Sequence, residues 1–188
     1  MFDPYKIRED FPAIKKKIYG KPLVYFDNAA TTLKPKVVIE AISEFYREYS
    51  ANVHRGLHFL SQKASEIYEE THEVIAKFIN AKAEEIVFTY NTTYAINMVA
   101  YSWGLENIKK GDKILLTIME HHSNMLPWRR IAKICDATIE YVDIKNDYTL
   151  NMEDFESKID DRTRVVAVTL MSNVLGTIND VRKIAKLA

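Results

Sequence analysis

Cysteine occurs once in this 188-residue sequence, at Cys135. That excludes an internal disulfide framework and every paired-cysteine zinc or redox motif, and it points to a reducing cytoplasm. Glycine occurs five times, at Gly20, Gly56, Gly104, Gly111 and Gly176, and no two stand in a GxG. Neither a dinucleotide-binding fingerprint nor a P-loop can be written from them, so any phosphate site must be built another way. Charge of one sign is lacking as well: 26 Lys and Arg balance 26 Asp and Glu, and residues 1–94 and 95–188 each carry 13 of either sign. Without a basic arm or an acidic tail, nucleic acid and membrane surfaces are not expected partners. No apolar run approaches the roughly 20 residues of a membrane span, and the opening MFDPYKIRED is charged from its third residue, unlike a secretory signal.

What is present is a globular balance, 47% hydrophobic and 28% charged, which is apolar enough to fill a core at about the length of one domain. Residues 1–34 read as a mixed opening segment and residues 35–188 as a single structural unit. Pro35 starts an amphipathic helix carrying Val37, Val38, Ala41, Ile42, Phe45, Tyr46 and Tyr49. Ser61 is the expected cap of a second helix, with Ala64, Ile67, Tyr68, Thr71, Val74, Ile75 and Phe78 on one face. Its Glu66, Glu69, Glu70 and Glu73 form a solvated face.

From residue 86 short apolar runs alternate with helical ones: IVFTY (86–90), KILLTI (113–118), TIEYV (138–142) and RVVAVTL (164–170), starting 27, 25 and 26 residues apart. Helices are expected over 93–103, about 123–135, about 152–159 and 179–187. Strand and helix alternating at near-constant spacing predict an α/β fold, a mainly parallel sheet covered by helices on both faces. The last helix should return to a further strand, so the architecture reads as incomplete at the C-terminus.

Ligands of open parallel sheets bind beyond the carboxyl ends of the strands. After IVFTY, Asn91-Thr92-Thr93 opens a helix whose first N–H groups and hydroxyls can hold a phosphate, although capping explains a threonine there equally well. KILLTI is followed by Glu120-His121-His122-Ser123-Asn124, an imidazole platform or, with no third ligand evident, less readily a metal site. RVVAVTL leads into Ser172-Asn173-Val174-Leu175-Gly176, where an amide can bond a ligand group or merely shape a turn. Together these three clusters define one crevice. Two upstream loops, Asp27 to Thr32 and Asn52 to Gly56, are also dense in hydrogen-bonding groups, and Gly56 suggests an unusual backbone there.

The strings YFDNAATT (25–32), NVHRGLH (52–58), NTTYAIN (91–97), MEHHSNMLPW (119–128) and MSNVLGT (171–177), in this order and spacing, resemble the N-terminal half of class V aminotransferase-like pyridoxal phosphate enzymes. Within that family the sequence is most similar to SufS-type cysteine desulfurases and the related selenocysteine lyases, over essentially all 188 residues. The resemblance implies part of the fold-type I large domain. It assigns phosphate binding to Thr92 and Thr93, ring stacking and proton relay to His121, and contact with the cofactor oxygen and substrate carboxylate to Asn173. Asn28, Ala29 and Ala30 fall on the substrate side, with His54 and Arg55 on a loop near the active site of the dimer. Asn91 stands where the family usually has glycine, and Tyr94 where it usually has glutamate.

A pyridoxal phosphate enzyme needs a Schiff-base lysine and normally a carboxylate facing the pyridine nitrogen. In the family that lysine follows a histidine, whereas none of His54, His58, His72, His121 or His122 precedes a lysine here. The resemblance puts the lysine, the carboxylate, a substrate-binding arginine and the nucleophilic cysteine beyond residue 188. Cys135, at a helix end before a strand, reads as a structural thiol. The expectation is therefore the N-terminal half of an enzyme that takes sulfur from L-cysteine for iron–sulfur cluster assembly, leaving L-alanine and a protein persulfide. Alone it should be inactive, holding pyridoxal 5'-phosphate non-covalently or only with a complementary C-terminal chain. Self-association and a sulfur-acceptor protein are the other partners implied. Whether the chain is a split subunit, a truncated product or a fragment stays open, as do a non-catalytic interaction module and a half selenocysteine lyase.

Overall fold

The computed structural model describes residues 3–188, and the chain divides into two units, Met1–Phe88 and Thr89–Ala188. In the first, helix α1 (Pro4–Arg8) begins with proline and is capped by the Asp3 carboxylate, which accepts from the Tyr5 and Lys6 N–H groups. Strands β1 (Lys17–Ile18) and β2 (Lys21–Pro22) pair antiparallel. Tyr19 and Gly20 between them both have positive φ, the geometry that matches the twist of a two-residue hairpin.

The helix expected from Pro35 forms as α2 (Lys36–Glu44) and ends in a π-helical turn over Phe45–Tyr49. Its apolar face is left open: Val37 and Tyr46 are both 69% exposed. Helix α3 (Phe59–Ile79) starts three residues earlier than expected. Its cap is His58, whose Nδ1 accepts from the Ser61 N–H, while Ser61 is buried and donates its hydroxyl to the Asn52 carbonyl at 2.5 Å. A hydroxyl with a long-range acceptor is not free to cap, which is why sequence spacing misassigned it.

The second unit begins with α4 (Thr92–Val99), continued by a π-helical turn over Ala100–Gly104 and by α5 (Leu105–Asn107). Then follow β3 (Lys113–Thr117), α6 (Leu126–Cys135), β4 (Thr138–Val142), α7 (Met152–Lys158), β5 (Thr163–Ala167) and α8 (Val181–Leu187). The three strands form a parallel sheet in the order β4-β3-β5, so the predicted α/β class and strand direction hold. The run 86–90, expected to be a fourth strand, is not one. It straddles the division between the units and, extended though Ile86 is, pairs with no strand among the described residues. A β-rich composition does not make a strand where no neighbour takes up the backbone hydrogen bonds.

Every residue of β3 is buried, as expected of a central parallel strand covered on both faces. Ile114 and Leu116 pack with Ala100, Ile108, Trp128 and Ile131 on one face. Leu115 packs with Val142, Phe155 and Ile184 on the other. Each Val, Leu, Ile or Phe among them contributes about 1.5–3 kcal/mol on leaving water, so this sandwich is the principal core of the second unit. Cys135 is half-buried at its margin.

At the start of β3 the Lys113 ammonium is almost fully buried and donates to the Lys158 carbonyl, with the Asp160 carboxylate at 3.1 Å and Glu140 at 3.7 Å. The Arg162 guanidinium, followed by Lys113, holds the Asp160 carboxyl down from the usual 3.8 to about 2. A depressed carboxyl adds stability above its unfolded value, and that stability is lost as pH falls through the folded value. Asp160→Asn should therefore flatten the loss of stability between about pH 4 and pH 2, measured as urea midpoints across that range. An acid limb as steep as that of the unaltered chain would refute the pairing.

Candidate active site

Because β3 and β5 run parallel, with Leu116 opposite Ala167 after a register shift between Lys113 and Ile114, the loops that follow them leave the same end of the sheet. The first makes a short 3₁₀ turn, His122–Asn124, capped by His121. The Ser123 N–H donates to His121 Nδ1 at 3.1 Å, and the Ser123 hydroxyl lies 2.8 Å from the same nitrogen. An Nδ1 that accepts leaves the ring proton on Nε2. The second loop is a tight hairpin closed by a bridge between Met171 and Ile178. Ser172 Oγ accepts from the Val174 and Leu175 N–H groups, Gly176 turns the chain at φ +72°, and Asn173 stands exposed at the tip.

Behind both loops lies a buried polar group. The Glu120 carboxylate accepts from the Thr117 hydroxyl at 2.6 Å, the Thr169 N–H at 2.9 Å and the Asn124 amide at 2.7 Å. Asn124 in turn accepts from the Trp128 indole N–H at 3.2 Å.

Helix α4 opens the third side. Asn91, at φ −172° in ordinary extended backbone, caps it by accepting from the Tyr94 N–H at 2.9 Å. The position therefore does not demand glycine in this chain. The first-turn N–H groups of Thr92 and Thr93 have no intrahelical acceptor, and neither hydroxyl donates or accepts among the described residues. Two N–H groups and two hydroxyls at the positive end of a helix fit a phosphate.

Three cavities meet at His121. One of about 430 Å³ runs between His121 and Asn173. Another of about 420 Å³ joins His121 to Thr93, Asn97 and Arg130. The third, about 470 Å³, joins it to Thr92, Glu120 and the end of β5. Thr92, Thr93, His121 and Asn173 are thus brought around one imidazole. The His122 ring lies 6.3 Å from that of His121 and is tilted by 52°. No cluster of three or more metal-ligating side chains occurs among the described residues.

The remaining candidates belong to the first unit. Asn28, Ala29 and Ala30 occupy an exposed turn in which the Ala30 and Thr31 N–H groups donate to the Asp27 carbonyl, and the Tyr25 hydroxyl donates to the Thr31 carbonyl at 2.6 Å. His54 has φ +71°, its N–H donates to Ser65 Oγ at 2.7 Å, and its ring packs edge-on to Tyr68 with Nδ1 3.6 Å from Glu69. Arg55 is exposed beside it. The unusual backbone expected at Gly56 is therefore at His54. Glycine at 56 answers a close approach instead, since a Cβ there would lie 2.1 Å from Ser61 Oγ.

Sequence reasoning missed Glu120, Asn124 and Trp128 as a connected set. The available signal was an acid three residues past the end of β3, just after the apolar Ile118 and Met119, where a carboxylate is rarely buried without partners.

At one end of the parallel sheet this unit thus gathers a helix N-terminus that fits a phosphate, the His121 imidazole and the Asn173 amide. The aminotransferase class-V family model matches residues 24–188, and the chain belongs to that family. It is 48% identical to a probable cysteine desulfurase of Halalkalibacterium halodurans, an alignment covering 98% of this chain and 46% of that protein. It is 44% identical to a cysteine desulfurase of Haloferax volcanii, covering 97% and 46%. The apo structure of cysteine desulfurase from Thermococcus onnurineus superposes with a TM-score of 0.91 at 44% identity, over 100% of this chain and 45% of that one. The chain thus spans about half the length of the curated relatives it matches, and its fold is correspondingly partial. No helix among the described residues is long and apolar enough to cross a membrane.

The Gly56 contact is directly testable. Gly56→Ala should push the buried Ser61 off its bond to Asn52 and destabilise the first unit by roughly 1–3 kcal/mol, read as a lowered urea midpoint with faster proteolysis across residues 52–58. An unshifted midpoint would contradict the close approach.

Proposed function

We propose that this chain supplies the cofactor platform of a pyridoxal phosphate-dependent cysteine desulfurase, which takes sulfur from L-cysteine for iron–sulfur cluster assembly and leaves L-alanine and a protein persulfide. The observation that carries the reading is the single imidazole, His121, bordering three cavities that lead to Thr92, Thr93 and Asn173. Pyridoxal phosphate, when bound, supplies the electron sink that such chemistry needs.

The roles of this chain's residues follow from their donors. Thr92 and Thr93 hold the phosphate with their hydroxyls and free N–H groups at the start of α4. His121 presents a ring face for stacking and holds a proton at Nε2, on the edge away from Ser123, where it can be given up or taken. Asn173 offers a neutral amide to the ring oxygen or the substrate carboxylate. Asn28, Ala29, Ala30, His54 and Arg55 serve the substrate side.

The lysine that would hold the cofactor and the nucleophilic cysteine come from outside these 188 residues, in a complementary segment or chain. The open apolar faces of α2 and of α3, where Phe78 is 86% exposed, support such a covering partner or self-association. A sulfur-acceptor protein would take the persulfide onward. The site of action on this reading is the cytoplasm.

Titration of pyridoxal phosphate against the chain, followed by cofactor absorption, tests the assignment. His121→Ala should weaken binding or shift the spectrum more than His122→Ala does. Thr93→Val, which keeps shape but removes a hydroxyl, should cost about 1.5–3 kcal/mol, or roughly tenfold to a hundredfold in Kd. Equal and negligible effects of both histidine changes, or no perturbation of the cofactor by the unaltered chain, would overturn the reading.

A further inference from the structure

The Glu120 carboxylate is 6% exposed and meets only donors. Its partners fix one another in a definite direction. The Trp128 indole nitrogen can only donate, so the Asn124 atom facing it at 3.2 Å is the amide oxygen. The Asn124 NH₂ is thereby turned toward Glu120 Oε2 at 2.7 Å. On the other oxygen, Oε1, the donors are the Thr117 hydroxyl at 2.6 Å and the Thr169 backbone N–H at 2.9 Å. A backbone N–H and an amide NH₂ cannot reverse their roles, so both carboxyl oxygens must accept.

These bonds join segments that the sheet itself does not join. Thr169 lies two residues past the last residue of β5, Ala167. Its N–H goes to Glu120, and its carbonyl accepts from the Asn179 amide at 2.8 Å. The Asn179 N–H then takes the Leu170 carbonyl at 2.9 Å, at the foot of the hairpin that carries Asn173. On the opposite side Glu120 is bonded in sequence to His121.

From this we infer that Glu120 is a positioning residue, a carboxylate clamp that sets the His121 ring and the Asn173 hairpin at a fixed separation. Its purpose rests on the function proposed above, in which the ring and the amide must engage the same bound molecule. The clamp depends on acceptor chemistry at both oxygens, not on side-chain volume. An isosteric amide at 120 must turn its NH₂ toward a donor in either orientation, which leaves one buried donor unpaired.

A charge swap tests this against a merely space-filling role. In Glu120→Gln one clamp bond opposes donor to donor. Adding Asn124→Asp restores all of them: the new amide at 120 donates to the new carboxylate at 124, whose second oxygen still accepts from Trp128. Exchange at the Thr169 N–H and the Asn124 NH₂ and the His121 ring nitrogen shifts are read by NMR on the whole chain. Whichever way its amide turns, Glu120→Gln sets a donor against the Thr169 N–H or the Asn124 NH₂, so exchange should speed by about tenfold or more at one of these two. Loosening the 122–124 turn that carries Ser123 should also bring the His121 Nδ1 and Nε2 shifts together. The double variant should return Thr169 exchange and the ring shifts toward the values of the unaltered chain, and it should restore folding if the single variant fails to fold.

Exchange and shifts unchanged in Glu120→Gln, or a double variant no better than the single, would overturn the clamp. Pyridoxal phosphate added to the same samples separates the two readings. Swap behaviour as expected with no cofactor response removes the proposed function and leaves the clamp standing. Cofactor binding with no swap behaviour does the reverse.

Discussion

The second unit depends on the complete burial of β3. A strand paired in parallel on both edges and covered on both faces has its backbone satisfied along its length, so polar mismatch is confined to its two ends. At the entering end a single ammonium, Lys113, is sealed by the Lys158 carbonyl, Asp160 and Glu140. At the leaving end a single carboxylate, Glu120, is sealed by Thr117, Asn124 and Thr169. The two solutions are opposite in charge and alike in logic: each buried charge is surrounded by complementary groups from several segments, without which its desolvation would be prohibitive.

This arrangement separates stability from chemistry. The ion pairs at the entering end tie β3, β4 and the turn before β5, far along the strands from the histidines. The leaving end carries the loops, and there the backbone is held by side chains instead of by the ladder. His121 is set by Ser123, the 171–178 hairpin by Ser172, and the Thr169 peptide by Glu120 on one side and Asn179 on the other. Loops held this way are fixed by side chains at their feet, while their tips, Asn173 among them, stay exposed.

Much of this was legible in the sequence. The runs KILLTI, TIEYV and RVVAVTL, spaced by helical segments, predict a parallel α/β sheet, and the clusters around Thr92, His121 and Asn173 each follow an apolar run, as expected where ligands of such sheets bind at strand ends. Those three clusters do converge. The failures share one cause, which is partner dependence. IVFTY has strand composition but no paired neighbour among the described residues, Ser61 has capping chemistry but spends its hydroxyl on Asn52, and the unusual backbone belongs to His54 while Gly56 answers a steric approach by α3. Glu120 looked like one letter in a histidine motif.

The sequence by itself determined the period of the elements and the direction of the sheet, because these follow from local pattern and from the handedness of strand–helix–strand units. Only the tertiary structure decided which polar groups are buried and who satisfies them. Whether a carboxylate is a solvated surface charge or an acceptor for three donors depends on residues 49 positions away, as Thr169 is from Glu120. Hydrogen-bond satisfaction is a property of packed neighbours, and a linear pattern does not contain it.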